Sequence, residues 1–89
     1  MKAMMFYRLN QDYTRECMDY AAEFNRLHTD NKIVEVTDSE NIDKYQNLYS
    51  FFELPTIIVV SGDGVLGNLW AGKSFPMKDE VFGYMLNVG

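Results

Sequence analysis

The segment Thr56-Ile57-Ile58-Val59-Val60 is the feature that most limits what this chain can fold into. All five of its side chains are β-branched, and such residues favour strands. Pro55 comes directly before the run, and a proline cannot continue a helix. The sequence therefore predicts a strand over residues 56–60 that begins immediately after a break at Pro55.

Further strands and helices are predicted on both sides of this strand. Apolar runs predict strands at about residues 3–8, 33–36 and 65–71. Apolar residues three or four positions apart predict three helices, with the stripes Tyr13, Cys17, Tyr20, Ala21, Phe24 and Leu27; Ile42, Tyr45, Tyr49 and Phe52; and Met77, Val81, Tyr84, Met85 and Val88. Asp12 is predicted to cap the first helix, and Thr37 with Glu40 has the spacing of a capping box for the second.

The order of the predicted elements is βαβαββα. Two βα units followed by a hairpin and a closing helix predict an α/β fold with a four-stranded mixed sheet flanked by helices. No linker, repeat or low-complexity tract interrupts the pattern, so residues 1–89 are predicted to form a single domain.

Composition and charge exclude several classes of function. The 8 Lys and Arg residues against 13 Asp and Glu residues give a net charge of −5, which argues against a nucleic-acid partner. No apolar run reaches the roughly 18 residues that span a bilayer, so no membrane partner is expected. The chain has one cysteine, Cys17, and one histidine, His28, too few for a disulfide or a cysteine-rich zinc site. We therefore expect a reduced, cytoplasmic domain without a metal.

The residues around Pro55 resemble those of the thioredoxin family. Leu54-Pro55-Thr56, the apolar strand, Gly64 in a hairpin and Gly72 eight residues later are similar to the second half of a thioredoxin, and the resemblance covers nearly the whole chain. It implies a thioredoxin-like fold and a cis Leu54–Pro55 bond. It also implies that the backbone beside this proline pairs with an extended peptide or with glutathione.

The chain departs from this family at the motif that carries its redox chemistry. Where thioredoxins and dithiol glutaredoxins have Cys-x-x-Cys, this chain has Thr14-Arg15-Glu16-Cys17, so the position of the attacking cysteine is Thr14. Cys17 lies on the apolar stripe, and burial raises the pKa of a thiol. The favoured interpretation is that Cys17 is a core residue and the protein is redox-inactive.

Two catalytic interpretations of Cys17 remain open at this point. In the first, the protein is a small monothiol glutaredoxin-like oxidoreductase that acts through Cys17 with glutathione as cofactor. In the second, the spacing from Asn10 to Cys17 resembles the Pro-x-x-x-Thr-x-x-Cys motif of peroxiredoxins, with Asn10 in place of the proline.

The aromatic residues near Pro55 allow two interpretations as well. Phe51, Phe52, Trp70 and Phe75 either complete the core or contribute to an apolar recognition patch formed by Tyr13, Phe51, Leu54 and Trp70. We therefore expect a protein-binding module whose partner is an unidentified protein or extended peptide. The expected partner-binding residues are Tyr13, Thr14, Phe51, Leu54, Pro55, Thr56, Trp70 and Gly72.

Overall fold

The secondary structure follows the predicted order in the computed structural model, which describes residues 1–86. The elements are β1 (Lys2–Phe6), α1 (Thr14–Leu27), β2 (Ile33–Val36), α2 (Ser39–Tyr49), β3 (Thr56–Val60), β4 (Leu66–Ala71) and α3 (Lys78–Leu86). Val88, the last residue of the predicted third helix stripe, lies outside the described residues. Within residues 1–86, no helix is long and apolar enough to cross a membrane.

The four strands form one mixed sheet in the order β2-β1-β3-β4. β1 is parallel to β2, whereas β3 is antiparallel to both β1 and β4. All five residues of β3 are buried, because this strand lies inside the sheet and both of its faces are covered. The predicted fold class, an α/β domain with a four-stranded mixed sheet and three helices, is confirmed.

The sheet has a hydrophobic cluster on each face. The cluster on the side of α1 and α3 includes Phe24, Ile57 and Val81. The cluster on the side of α2 includes Ile42 and Ile58. Successive residues of a strand point to opposite faces, which is why Ile57 and Ile58 belong to different clusters.

Both predicted helix caps are wrong. The residue at the cap of α1 is Tyr13, which makes no side-chain hydrogen bond to the helix, and the carboxylate of Asp12 instead pairs with Lys73. The cap of α2 is Asp38, whose side chain accepts a hydrogen bond of 3.0 Å from the backbone N–H of Asn41. Asp38 has the extended backbone that a capping residue needs, so α2 begins one position later than Thr37 would start it.

Four residues that were predicted to lie on apolar helix stripes are exposed: Leu27, Phe52, Met77 and Tyr84. Leu27 is the last residue of α1 and is 50% exposed. Ser50 adopts a left-handed conformation with φ of 58°, which ends α2 before the stripe can continue to Phe52. Phe52 therefore lies in the loop that leads to Pro55, where it is 82% exposed.

Candidate functional site

The candidate site is centred on the Leu54–Pro55 peptide bond, which is cis. The carbonyl oxygen of Pro55 accepts a hydrogen bond of 2.8 Å from the backbone N–H of Gly72. The hydroxyl of Thr56 donates to the carbonyl oxygen of Glu53 at 2.5 Å. These two bonds tie the loop before β3 to itself and to the end of β4. We refer to residues 52–55 together with Gly72 and Lys73 as the Pro55 surface.

Among residues 1–86, the main chain of Leu54 has no hydrogen-bond partner. Within residues 1–86, neither its N–H nor its carbonyl oxygen is bonded, although the neighbouring carbonyl oxygens of Glu53 and Pro55 both are. The Leu54 side chain is half-buried and packs against the clusters on both faces of the sheet. The side chains of Pro55 and Thr56, in contrast, are buried. Leu54 therefore offers both main-chain groups and apolar surface to a ligand.

Gly72 allows an acidic side chain to lie close to the backbone at this surface. It has φ of 94°, a conformation that residues with a side chain rarely adopt. A Cβ atom on Gly72 would lie 2.5 Å from Oε2 of Glu53. The carboxylate of Glu53 therefore occupies the space that a side chain at position 72 would need.

The loop before α1 is joined to the Pro55 surface by Lys73. Its Nζ lies 2.6 Å from Oδ2 of Asp12 and 6.0 Å from the centre of the Tyr13 ring. The hydrogen bond and the charge of Lys73 lower the pKa of Asp12, and the same hydrogen bond raises the pKa of Lys73. This ion pair links the start of α1 to the end of β4.

The hydroxyl of Thr14, the first residue of α1, is hydrogen-bonded to the loop before this helix. The hydroxyl donates to the carbonyl oxygen of Arg8 at 2.7 Å and accepts from the backbone N–H of Gln11 at 2.9 Å. Tyr13 is buried, and its hydroxyl lies 3.4 Å from the backbone N–H of Arg8. Thr14 and Tyr13 thus stabilise the conformation of the loop between β1 and α1.

Cys17 lies in the first turn of α1 with no exposed surface. Burial raises the pKa of its thiol to about 12, and the negative charges of Glu16 and Glu35 act in the same direction. A thiol attacks a disulfide as its thiolate, and at neutral pH this group is almost entirely protonated. The buried environment therefore disfavours both nucleophilic attack and access by a substrate.

The structure separates the aromatic residues that sequence reasoning grouped into one patch. Phe51 is 4% exposed and belongs to the cluster on the α2 side, so its assignment to an exposed recognition patch is wrong. Trp70 packs on the opposite face, where its Nε1 donates to Glu80 at 3.2 Å and its ring meets that of Tyr84. Within residues 1–86, Leu54 is the one residue of the predicted patch that packs against the clusters on both faces.

The ring of His28 packs against two phenylalanine rings. Its ring stacks on that of Phe82 with the centroids 3.8 Å apart, and it also contacts the ring of Phe24. In the part of the chain that the structure describes, no three His, Cys, Asp or Glu side chains come together in a way that would hold a metal ion.

Two residues of the site, Glu53 and Lys73, are not predicted from the sequence. Phe52 is predicted both for a helix stripe and as a possible contributor to the recognition patch, and it lies on the Pro55 surface. The signal for Glu53 is its position directly before Leu54-Pro55, and the signal for Lys73 is its position directly after Gly72. Both are polar residues beside the segments that carry the family resemblance.

Comparison with known proteins identifies the fold. No protein-family model matches the chain, and no curated protein matches it in sequence. The structure is similar to that of thioredoxin 1 from the thermophilic eubacterium Thermosipho africanus TCF52B, with a TM-score of 0.68 over 96% of this chain and 90% of the other. The two sequences are 19% identical. The predicted thioredoxin-like fold is therefore confirmed, in a chain whose single cysteine, Cys17, has no second cysteine with which to pair.

Proposed function

We propose that this protein is a protein-binding module that takes an extended peptide segment of its partner at the Pro55 surface. The observation that carries the proposal is the main chain of Leu54, whose N–H and carbonyl oxygen are unbonded within residues 1–86. An extended peptide can pair with such groups as an added strand, whatever its side chains are.

Apolar surface beside Leu54 supports the same proposal. Phe52 is 82% exposed and Leu54 is half-buried, so two large apolar side chains lie at the surface within three residues. Aromatic side chains are frequent anchors of protein interfaces because they bury a large area with few rotatable bonds. The main chain of Leu54 would supply the pairing, and Phe52 would supply the anchor.

The environment of Cys17 disfavours the alternative of a glutathione-dependent oxidoreductase. A dithiol reaction needs two cysteines, and this chain has one. A monothiol reaction needs an accessible thiolate, whereas the Cys17 thiol is buried and has a raised pKa of about 12. The same burial and the absence of a proline at Asn10 disfavour a peroxidase mechanism.

A peptide selection followed by binding measurements tests the proposal. Phage that display random ten-residue peptides are selected on the wild-type protein, and the affinity of the selected peptides is measured by fluorescence anisotropy. We expect Leu54→Asp to weaken binding by at least tenfold, because it places a charge against the apolar part of the ligand. Leu27→Asp is the matched control, since it makes the same change at an exposed leucine at the far end of α1.

Two results would contradict the proposal. One is that no selected peptide distinguishes the wild type from Leu54→Asp. The other is glutathione-dependent reduction of a disulfide substrate that Cys17→Ser abolishes, which would establish the oxidoreductase instead. If the module is redox-inactive, Cys17→Ser leaves peptide affinity unchanged and there is no reductase activity to lose.

A further inference from the structure

The charges at the Pro55 surface indicate the chemistry of the segment that binds there. Resting on the proposed function, we infer that the bound segment carries a lysine or arginine next to its apolar residue, and that this cation pairs with Glu53. Glu53 is therefore the residue that determines specificity, whereas Leu54 supplies pairing that is independent of sequence.

The position of Glu53 is set by its neighbours. Its carbonyl oxygen accepts the hydroxyl of Thr56, and its carboxylate lies over the Cα atom of Gly72. Gly72 in turn donates its N–H to Pro55. The carboxylate thus belongs to the residue next to Leu54, whose main chain is unbonded within residues 1–86, and a side chain of the ligand can reach it.

The one positive charge among the residues of the Pro55 surface, that of Lys73, already has an acidic partner. Its Nζ lies 2.6 Å from Oδ2 of Asp12. Within residues 1–86, Glu53 forms no salt bridge, although it is exposed.

Glu16 adds a second negative charge on this side of the molecule. It is exposed, forms no salt bridge within the described residues, and raises the pKa of Lys73 through its charge. The whole chain has a net charge of −5. A ligand that approaches the Pro55 surface therefore meets surplus negative charge, and a cationic side chain is its complement.

The order of side chains along the loop gives the pattern that the ligand must match. Glu53 lies between Phe52, which is 82% exposed, and the half-buried Leu54. An acidic group between two apolar groups is complementary to a segment in which a basic residue is flanked by apolar residues. A purely acidic segment would be repelled, and a purely apolar one would leave the charge of Glu53 without a partner.

The test uses the same phage library and compares charge-matched variants. Peptides selected on the wild type should be enriched in Lys or Arg, and Glu53→Gln should weaken their binding about two- to fivefold, as expected for an exposed ion pair. Asp63→Asn is the control, because it removes one negative charge from the hairpin at the opposite end of the sheet. Added NaCl should weaken binding to the wild type more than to Glu53→Gln.

Reversing the charge at position 53 should create a new preference for acidic peptides, which a merely structural role of Glu53 would not produce. Selection on Glu53→Lys should enrich acidic residues in place of basic ones. Peptides that depend on Leu54 but show no basic preference, or that bind Glu53→Gln as well as the wild type, would overturn the inference and leave the proposed function standing. A library from which no Leu54-dependent peptide emerges would overturn both.

Discussion

Phe51 and Phe52 are neighbours in the chain, yet 4% of Phe51 is exposed and 82% of Phe52 is exposed. The ring of Phe51 lies 5.1 Å from that of Phe6 in the core beneath α2. Phe52 is on the Pro55 surface. Ser50, in a left-handed conformation, ends α2 just before this pair.

The two phenylalanines should differ strongly in their contribution to stability. Phe51→Ala should lower the free energy of unfolding by about 3–5 kcal/mol, because it leaves a cavity against Phe6. Phe52→Ala should change it by less than about 0.5 kcal/mol, since the ring is exposed. Urea unfolding followed by circular dichroism measures both values. Equal losses for the two variants would contradict the burial described for them.

Any side chain at position 72 should lower the free energy of unfolding. Gly72→Ala should destabilise the protein by about 1–2 kcal/mol, because its φ of 94° is unfavourable for any residue with a Cβ atom. The Glu53 carboxylate would have to move as well, so binding at the Pro55 surface should also weaken.

Gly62→Ala is the control for this substitution. A Cβ atom at Gly62 would meet no atom of residues 1–86 within 4 Å, so we expect a change within about 0.5 kcal/mol of zero. Urea unfolding of the two variants side by side makes the comparison. If Gly72→Ala and Gly62→Ala lower the free energy of unfolding equally, the backbone conformation of Gly72 does not restrict which residue can stand there.

Alkaline pH should destabilise the protein. Burial raises the pKa of Cys17 and that of Tyr20 to about 12, from ordinary values of 9.0 and 10.0. Because the folded state holds these protons more tightly than the unfolded state, their contribution is complete below pH 9 and is lost as the pH rises towards 12.

Urea unfolding at pH 8, 10 and 11 measures this effect. Cys17→Ala and Tyr20→Phe should each make the loss between pH 8 and 11 smaller, whatever they do to stability at pH 8. A stability that stays constant or rises over this range would contradict the raised pKa values.

The ion pair between Asp12 and Lys73 should be visible in the titration of Asp12. Lys73 lowers the pKa of this carboxyl below its usual value of 3.8, so Lys73→Gln should raise it again. The contribution of the pair is complete above that usual pKa and is lost as the pH falls through the lowered value. Both groups are exposed, so the effect on stability should be small.

Carbon-13 NMR of the Asp12 carboxyl follows this titration directly. Arg26→Gln is the matched control, because Arg26 pairs with Glu23 and should shift the titration of Glu23 while leaving Asp12 unchanged. An Asp12 titration that is the same with and without Lys73 would show that the ion pair does not form in solution.

The elements of this fold are predictable where local pattern and burial agree. β3 begins and ends where the β-branched run does, because an interior strand needs such residues at every position. The face of α1 that carries Cys17 and Phe24 is equally clear, since helical spacing places both on one side.

The ends of the helices are less predictable. Asp12 and Thr37 both have the chemistry of a cap, but the backbone conformation decides whether a side chain can act as one. Asp12 instead forms an ion pair with Lys73, which is 61 residues away in the chain. A local sequence pattern cannot predict a partner that is so distant in the chain.

The sequence by itself determined the order of the elements, the buried interior strand after Pro55 and the absence of a second cysteine to pair with Cys17. These follow from residue type and spacing, which act locally. Only the tertiary structure decided that Phe52 rather than Phe51 is exposed, that Glu53 lies over Gly72, and that the main chain of Leu54 has no partner among residues 1–86. Each of these depends on where segments distant in the chain meet, and that is settled by packing and not by local preference.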